Sequence, residues 1–150
     1  MRFLASIIFL FLATTNVWGL PKCKGDDYKK WTDCYAVLEI PGTKYSGEWK
    51  NGKYNGKGKI KTLGITAEGI FKDNQIIKGR QTYNDGSTYK GEFKNNIPHG
   101  KGRYEFVDRA TFYEGDFVDG DFHGKGTLDL GWTSYTGDFL KGDRTGFGEE

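Results

Sequence analysis

The chain has 150 residues, a net charge of +2, 36% hydrophobic residues and 23 glycines. Its length is that of one small domain, and aromatic residues alone make up 16% of it. This composition excludes an enzyme built around a thick core of leucine, isoleucine and valine, and favours a chain whose aromatic rings pack between neighbouring units.

The first residues have the organisation of a secretory signal peptide. Arg2 precedes an unbroken apolar run, residues 3–13, and Val17-Trp18-Gly19 occupies the position that a signal peptidase reads. The run is shorter than the ~20 apolar residues that span a membrane; an uncleaved membrane anchor is the alternative. We therefore predict a signal peptide at residues 1–19 and an exported protein, periplasmic or extracellular.

The two cysteines, Cys23 and Cys34, follow the predicted cleavage point closely. In an oxidising compartment such a pair is expected to form a disulfide, and two cysteines alone are too few ligands for a structural zinc ion. Residues 20–44 are thus predicted to form a short N-terminal cap that contains a disulfide.

Residues 45–150 form a tandem repeat. Each copy has a Tyr, a Gly, an acidic residue, an aromatic residue and then further glycines, and the copies begin near residues 45, 67, 89, 113 and 135. Their first glycines are 22, 22, 24 and 22 residues apart, and a fixed period in this range indicates an array. The second copy is degenerate, with Ala67 for Tyr, Asn74 for Gly and Lys78-Gly79-Arg80 for Gly-x-Gly. The motif residues predicted to pack the array are Tyr45, Gly47, Trp49, Gly69, Phe71, Tyr89, Gly91, Phe93, Tyr113, Gly115, Phe117, Tyr135, Gly137 and Phe139.

The motif has the two-residue period of a β-strand. Tyr113, Gly115 and Phe117 alternate with polar residues, so they share one face of a strand. Gly, Asn and Asp between the strands favour tight turns, and a strand Gly leaves bare backbone on which a ring of the adjacent strand can lie. The sequence therefore predicts an all-β fold, an elongated antiparallel β-hairpin meander with an aromatic face, a charged face and almost no helix.

The two ends of the array differ from its interior. Residues 34–44 align as the second half of an incomplete first unit, with Ala36 where Gly58 lies in the first full copy. At the other end, Gly146-Phe147-Gly148 suggests a last strand that is barely begun. This would leave an edge strand able to pair with another chain, so self-association through the C-terminal edge strand is one prediction.

The pattern Tyr-x-Gly-[Glu/Asp]-[Trp/Phe]-x-x-Gly-x-x-x-Gly-x-Gly, repeated from Tyr45 to Gly148, resembles the MORN (membrane occupation and recognition nexus) repeat. A secretory leader followed by a short cysteine-flanked segment is similar to that of secreted bacterial MORN proteins. The resemblance implies an elongated β-meander that serves as a protein-interaction or scaffolding module without chemistry of its own. It also implies a possible contact with phospholipid, which has been proposed for some MORN arrays.

No residue pattern indicates catalysis, a cofactor or a metal site. The Gly-x-Gly pairs lack the third Gly and the following helix of a phosphate-binding loop. His99 and His123 are equivalent residues of adjacent units, which strand spacing places ~10 Å apart, too far for one zinc ion. Recurring carboxylates offer acid pairs for glycoside hydrolysis as an alternative, but as a ladder they are expected to be solvated or paired with lysines. They are Glu48, Glu92, Asp116 and Asp138.

Charge is distributed unevenly along the array. Residues 43–104 carry 13 Lys and Arg against 5 Asp and Glu, whereas residues 105–150 carry 4 against 11. We predict a protein partner, with an anionic lipid surface bound by basic repeats 1–3 as the alternative; nucleic acid is not expected outside the cytoplasm. A solubilising role for these charges is equally compatible with the pattern. The candidate contact residues are Lys50, Lys53, Lys57, Lys59, Lys61 and the rings Tyr54, Tyr83, Tyr104 and Trp132, expected to be exposed.

Overall fold

A computed structural model describes residues 19–108 and 110–149. Its eleven strands form one open antiparallel sheet in which each strand pairs with the next along the chain. The strands are β1 (Cys34–Ile40), β2 (Thr43–Lys50), β3 (Lys53–Thr62), β4 (Ile65–Lys72), β5 (Gln75–Tyr83), β6 (Thr88–Lys94), β7 (Ile97–Glu105), β8 (Phe112–Val118), β9 (Asp121–Asp129), β10 (Ser134–Leu140) and β11 (Asp143–Glu149). The predicted all-β meander is confirmed.

Helix is limited, over the described residues, to one 3-10 turn at Tyr28–Lys30. No helix in this part of the chain is long and apolar enough to cross a membrane. The predicted signal peptide lies, apart from Gly19, outside the described residues.

One glycine from each of nine successive strands lies in a single row across the sheet. The register aligns Gly47 with Gly58 and Gly58 with Gly69, and continues in this way to Gly137 on β10. A side chain at Gly102 would overlap the Tyr89 ring, because that ring lies directly over the backbone of the adjacent strand. The row is therefore the surface on which the motif tyrosines pack.

The core is a ladder of aromatic rings on one face of the sheet. The motif tyrosines and the motif Phe or Trp rings pack edge-to-face, an arrangement that the quadrupole of an aromatic ring favours. The Tyr113 ring lies 5.2 Å from Phe117 of its own unit and 4.8 Å from Phe139 of the next unit. Each unit thus contributes rings to the core of its neighbour, as a repeat array requires.

The N-terminal cap covers the first unit as predicted. The Cys23–Cys34 disulfide is confirmed, with Cα atoms 4.9 Å apart, and Ala36 pairs with Gly47 just as Gly58 pairs with Gly69. The Trp31 ring packs 5.0 Å from Trp49. The cap therefore takes the place of a preceding unit.

The last unit is more complete than the sequence suggested. The expectation of a barely begun strand is wrong, since β11 extends over Asp143–Glu149 and pairs with β10. The Tyr135 hydroxyl donates a hydrogen bond to the Thr145 carbonyl oxygen at 3.0 Å. The Arg144 guanidinium lies 5.4 Å from the centre of the Tyr135 ring, and together these contacts hold β11 on the sheet.

Candidate functional site

The motif tyrosines form hydrogen bonds at a β-bulge in addition to packing in the core. In each complete unit the register shifts just after the motif Gly, as between Gly115 and Asp116. A bulge leaves backbone groups unpaired, and the Tyr113 hydroxyl lies 3.0 Å from both the Asp116 and the His123 carbonyl oxygens. The Tyr89 hydroxyl donates in the same way to the Glu92 carbonyl oxygen at 2.7 Å.

The motif carboxylates have a structural role on the opposite, polar face. The Asp116 carboxylate accepts a hydrogen bond from the Lys125 backbone amide at 3.2 Å. It lies where a side chain at Gly124 would project, and Gly124 has a positive φ of 55°, a conformation that glycine adopts at little cost. Asp116 also pairs with the Lys101 ammonium at 2.7 Å, and Asp138 pairs with the Lys125 ammonium at 2.8 Å. The ladder of carboxylates paired with lysines, expected from the sequence, is present in these units.

The degenerate second unit lacks three linked features of the motif together. Ala67 cannot hold a bulge carbonyl, Ile70 occupies the position of the acid, and Gly79 aligns with Gly69. This register corrects the alignment of Lys78-Gly79-Arg80 with Gly-x-Gly, because Gly79 is equivalent to the second glycine and Ile77 to the first. The paired glycines Gly69 and Gly79 are one residue closer along the chain than Gly115 and Gly126, so the loss of the Tyr, the acid and the first Gly coincides with a shorter hairpin.

Burial raises the pKa of three motif tyrosines, Tyr45, Tyr89 and Tyr113. The pKa of Tyr113 is raised to about 12, chiefly because its ring is removed from water. Burial, and secondarily the Glu48 carboxylate, raises the pKa of Tyr45 further, and Tyr89 behaves in the same way beside Glu92. These hydroxyls remain protonated hydrogen-bond donors at neutral pH.

The four complete copies of the repeat are also the segments that match a known protein family. The family model described as the MORN repeat matches residues 45–61, 89–111, 113–131 and 135–150, together half of the chain. The chain belongs to the MORN repeat family. No match was found among curated proteins. MORN repeats generally mediate protein or membrane interactions and are non-enzymatic in general. The region that the family model leaves out contains the second unit, where Tyr, acid and glycine are missing.

The MORN array places the predicted contact lysines at the basic end, in two groups. Lys53 pairs with Asp73 at 3.5 Å and Lys59 with Glu68 at 3.4 Å. The others make no ion pair with any described residue, and all are exposed; they are Lys50, Lys57 and Lys61. Three cations therefore remain available on β2 and β3.

Three of the four aromatic candidates are not exposed as expected. Tyr54 stacks on Tyr45 with ring centres 3.8 Å apart, and the Tyr104 hydroxyl donates to Ser87 Oγ at 2.8 Å. Tyr83 is half-buried like them, because each of the three projects from its strand toward the aromatic face. Trp132, in the turn between β9 and β10, is 86% exposed.

Sequence reasoning missed two kinds of residue in this MORN array. The first is the stacking position two residues before the Gly-x-Gly pair, where Phe122 covers Tyr113 at 3.9 Å as Tyr54 covers Tyr45. Its recurrence at a fixed distance before Gly was the available signal. The second is Leu63, 85% exposed in the turn between β3 and β4, which no repeat pattern marks. The described residues include no cluster of three or more His, Cys, Asp or Glu side chains able to hold a metal ion.

Proposed function

We propose that this MORN repeat protein is a non-catalytic protein-interaction or scaffolding module that acts outside the cytoplasm. The observation that carries the proposal is the open sheet of eleven strands, whose aromatic face is filled by its own rings. The polar face presents charged side chains at each successive unit. A surface of this kind suits an extended partner better than a small substrate.

The roles of the motif residues support a binding module over an enzyme. Three of the four carboxylates at the fourth motif position, Glu92, Asp116 and Asp138, contact a backbone amide or a lysine. The disulfide is compatible with an oxidising compartment, which supports export. Self-association through β11 remains part of the proposal, and light scattering at low and high salt tests it.

Site-specific photo-crosslinking tests the proposed function. A photoreactive phenylalanine analogue replaces Ile70 or Leu140, which are 39% and 51% exposed on the polar face. Leu63, 85% exposed in the turn between β3 and β4, is the control position. We expect a discrete protein adduct from the two polar-face positions in cells that export the protein. Adducts from neither position would overturn the proposal.

A second candidate function is binding to an anionic membrane surface through repeats 1–3. It is favoured by three unpaired lysines on β2 and β3, of which Lys61 lies two residues before the exposed Leu63, since basic residues attract anionic lipid and an apolar tip can enter the interface. Co-sedimentation with vesicles containing phosphatidylserine tests it. Leu63→Asp should abolish the binding, whereas Trp132→Asp at the acidic end should leave it unchanged; equal effects would contradict this candidate.

A further inference from the structure

One row of the polar face carries three cations in succession. Its residues lie opposite one another in succession from β3 to β8: Lys59, Glu68, Arg80, Lys90, Arg103 and Glu114. Arg80, Lys90 and Arg103 are therefore three cations on three neighbouring strands. Like charges directly opposite on a sheet destabilise it. Single opposed pairs also occur at Lys44–Lys61 and Lys50–Lys53, but this row joins three cations on neighbouring strands.

The acids beside these cations are engaged elsewhere. Glu68 is opposite Arg80 but pairs with Lys59 at 3.4 Å, and Glu92 is opposite Lys78 but accepts from the Lys101 amide at 3.3 Å. Among the described residues, four basic side chains on β5 and β6 form no ion pair, and three of them lie next to one another: Lys78, Arg80 and Lys90, with Lys94 at the end of β6. All four are exposed.

Lys78 and Lys90 line a trough on the polar face, and Arg80 lies directly opposite Lys90. The volume of the trough is about 490 Å³, within the range of ligand-binding pockets, ~300–1,000 Å³. Four members of the glycine row, Gly79, Gly91, Gly102 and Gly115, contribute to its lining. The side chains that line the basic trough are Lys78, Lys90, Lys101, Arg103 and Glu114.

The charge of the trough changes along its length. At the β5–β6 end Lys78 and Lys90 are unpaired, whereas at the β7–β8 end Arg103 pairs with Glu114 at 2.8 Å and Lys101 with Asp116 at 2.7 Å. A uniformly charged polyanion would meet the Glu114 carboxylate at the second end. The complementary ligand is therefore acidic at one end and uncharged at the other.

We infer that the basic trough binds a short acidic peptide segment of a protein partner, with its carboxylates against Lys78, Arg80 and Lys90. The inference rests on the proposed function and names the site and the chemistry of the partner. A lipid surface bound at the exposed turns, such as the one with Leu63, would not need these central cations. The stacked cations would then be retained for binding at some cost in stability.

The test is fluorescence anisotropy with a labelled peptide of four glutamates followed by four serines. The site variant is Arg80→Gln/Lys90→Gln, and the matched control is Lys50→Gln/Lys94→Gln, which removes the same charge from unpaired, exposed residues. We expect the site variant to bind about tenfold more weakly, the sum of two charge contacts. The control should stay within about twofold of the parent protein.

A second variant separates binding from folding. Lys90→Glu places an acid between Arg80 and Arg103, so we expect a higher Tm and loss of peptide binding. Equal weakening in the site and control variants would overturn the inference, as would failure of the parent protein to bind the peptide. Binding to phosphatidylserine vesicles that is lost in the site variant, without any change in peptide affinity, would also overturn it. In each case an adduct from Ile70 would leave the proposed function standing.

Discussion

At the scale of single residues, each motif position meets a distinct requirement of one packing arrangement. The Tyr covers two glycines and holds a bulge carbonyl, while the acid holds an amide of the facing strand, as Tyr113 and Asp116 show. Because the Tyr, the acid and the glycines contact one another, loss of one of them removes the packing role of the others. The second unit, with Ala67 and Ile70 in these two positions, is the natural example.

The glycine row predicts a sharp difference between glycines. Gly102→Ala would place its Cβ 2.6 Å from Tyr89 Cζ, so we expect a loss of about 1–3 kcal/mol from overpacking. Gly64→Ala is the control, because nothing lies within 4 Å of its Cβ position and its φ is not positive. Its effect should be within ~0.5 kcal/mol. Urea denaturation of both variants measures the difference, and equal losses would argue against ring packing as the reason for Gly102.

The buried tyrosines predict a loss of stability in alkali. The pKa of Tyr113 is raised to about 12 in the folded chain, against ~10 in an unfolded one. The folded state therefore binds more protons above pH ~10, so its stability is intact below that pH and falls as pH rises through about 12. Thermal unfolding from pH 8 to 12, with tyrosinate absorbance, measures this. Titration of all tyrosines near pH 10 without unfolding would contradict the expectation.

At the scale of strands and hairpins, the alternation of residues was sufficient to predict the sheet. Tyr, Gly and aromatic positions share a face, and turn residues such as Asn51 and Asp119 adopt the positive φ that their types tolerate. Two features could not be read in this way. Tyr54 looked like a free ring because its partner Tyr45 is nine residues away on another strand, and a bulge decides which rings meet. The basic trough depends on which residues face one another across four strands. A repeat pattern predicts this register only to within a residue or so, because bulges shift it.

The cap gives a prediction for its own end of the array. Cys23→Ser/Cys34→Ser should lower the free energy of unfolding by ~2–3 kcal/mol, because it releases the constraint on the unfolded chain. In a repeat array each unit contacts only its neighbours, so amide exchange should accelerate in β1 and β2 and stay unchanged in β8 and β9. Hydrogen exchange with mass spectrometry measures both regions. Uniform acceleration over the whole chain would show that the cap acts on the whole array instead.

At the scale of the whole molecule, the sheet is continuous but the aromatic ladder is not. A motif Tyr contacts the aromatic residue of the next unit, as Tyr45 contacts Phe71 at 5.3 Å and Tyr113 contacts Phe139 at 4.8 Å. Ala67 provides no ring for Phe93. The junction of the second and third units therefore lacks a contact that the other junctions have, and it lies beside the basic trough on the opposite face.

This interruption predicts unequal costs for two equivalent truncations. Phe117 contacts Tyr89 of the preceding unit, Tyr113 of its own unit and the stacked Phe122, at 4.8, 5.2 and 5.6 Å, whereas Phe93 contacts only Tyr89 among the described rings, at 5.0 Å. Both Phe→Ala variants should lose ~3–5 kcal/mol, with Phe117→Ala costing ~1 kcal/mol more, since each ring pair contributes ~0.5–1.5 kcal/mol. Urea denaturation of the two variants compares them. Equal losses would contradict this expectation. Backbone pairing along the sheet would then outweigh the ring contacts, and the junction after the second unit would be as strongly coupled as the other junctions.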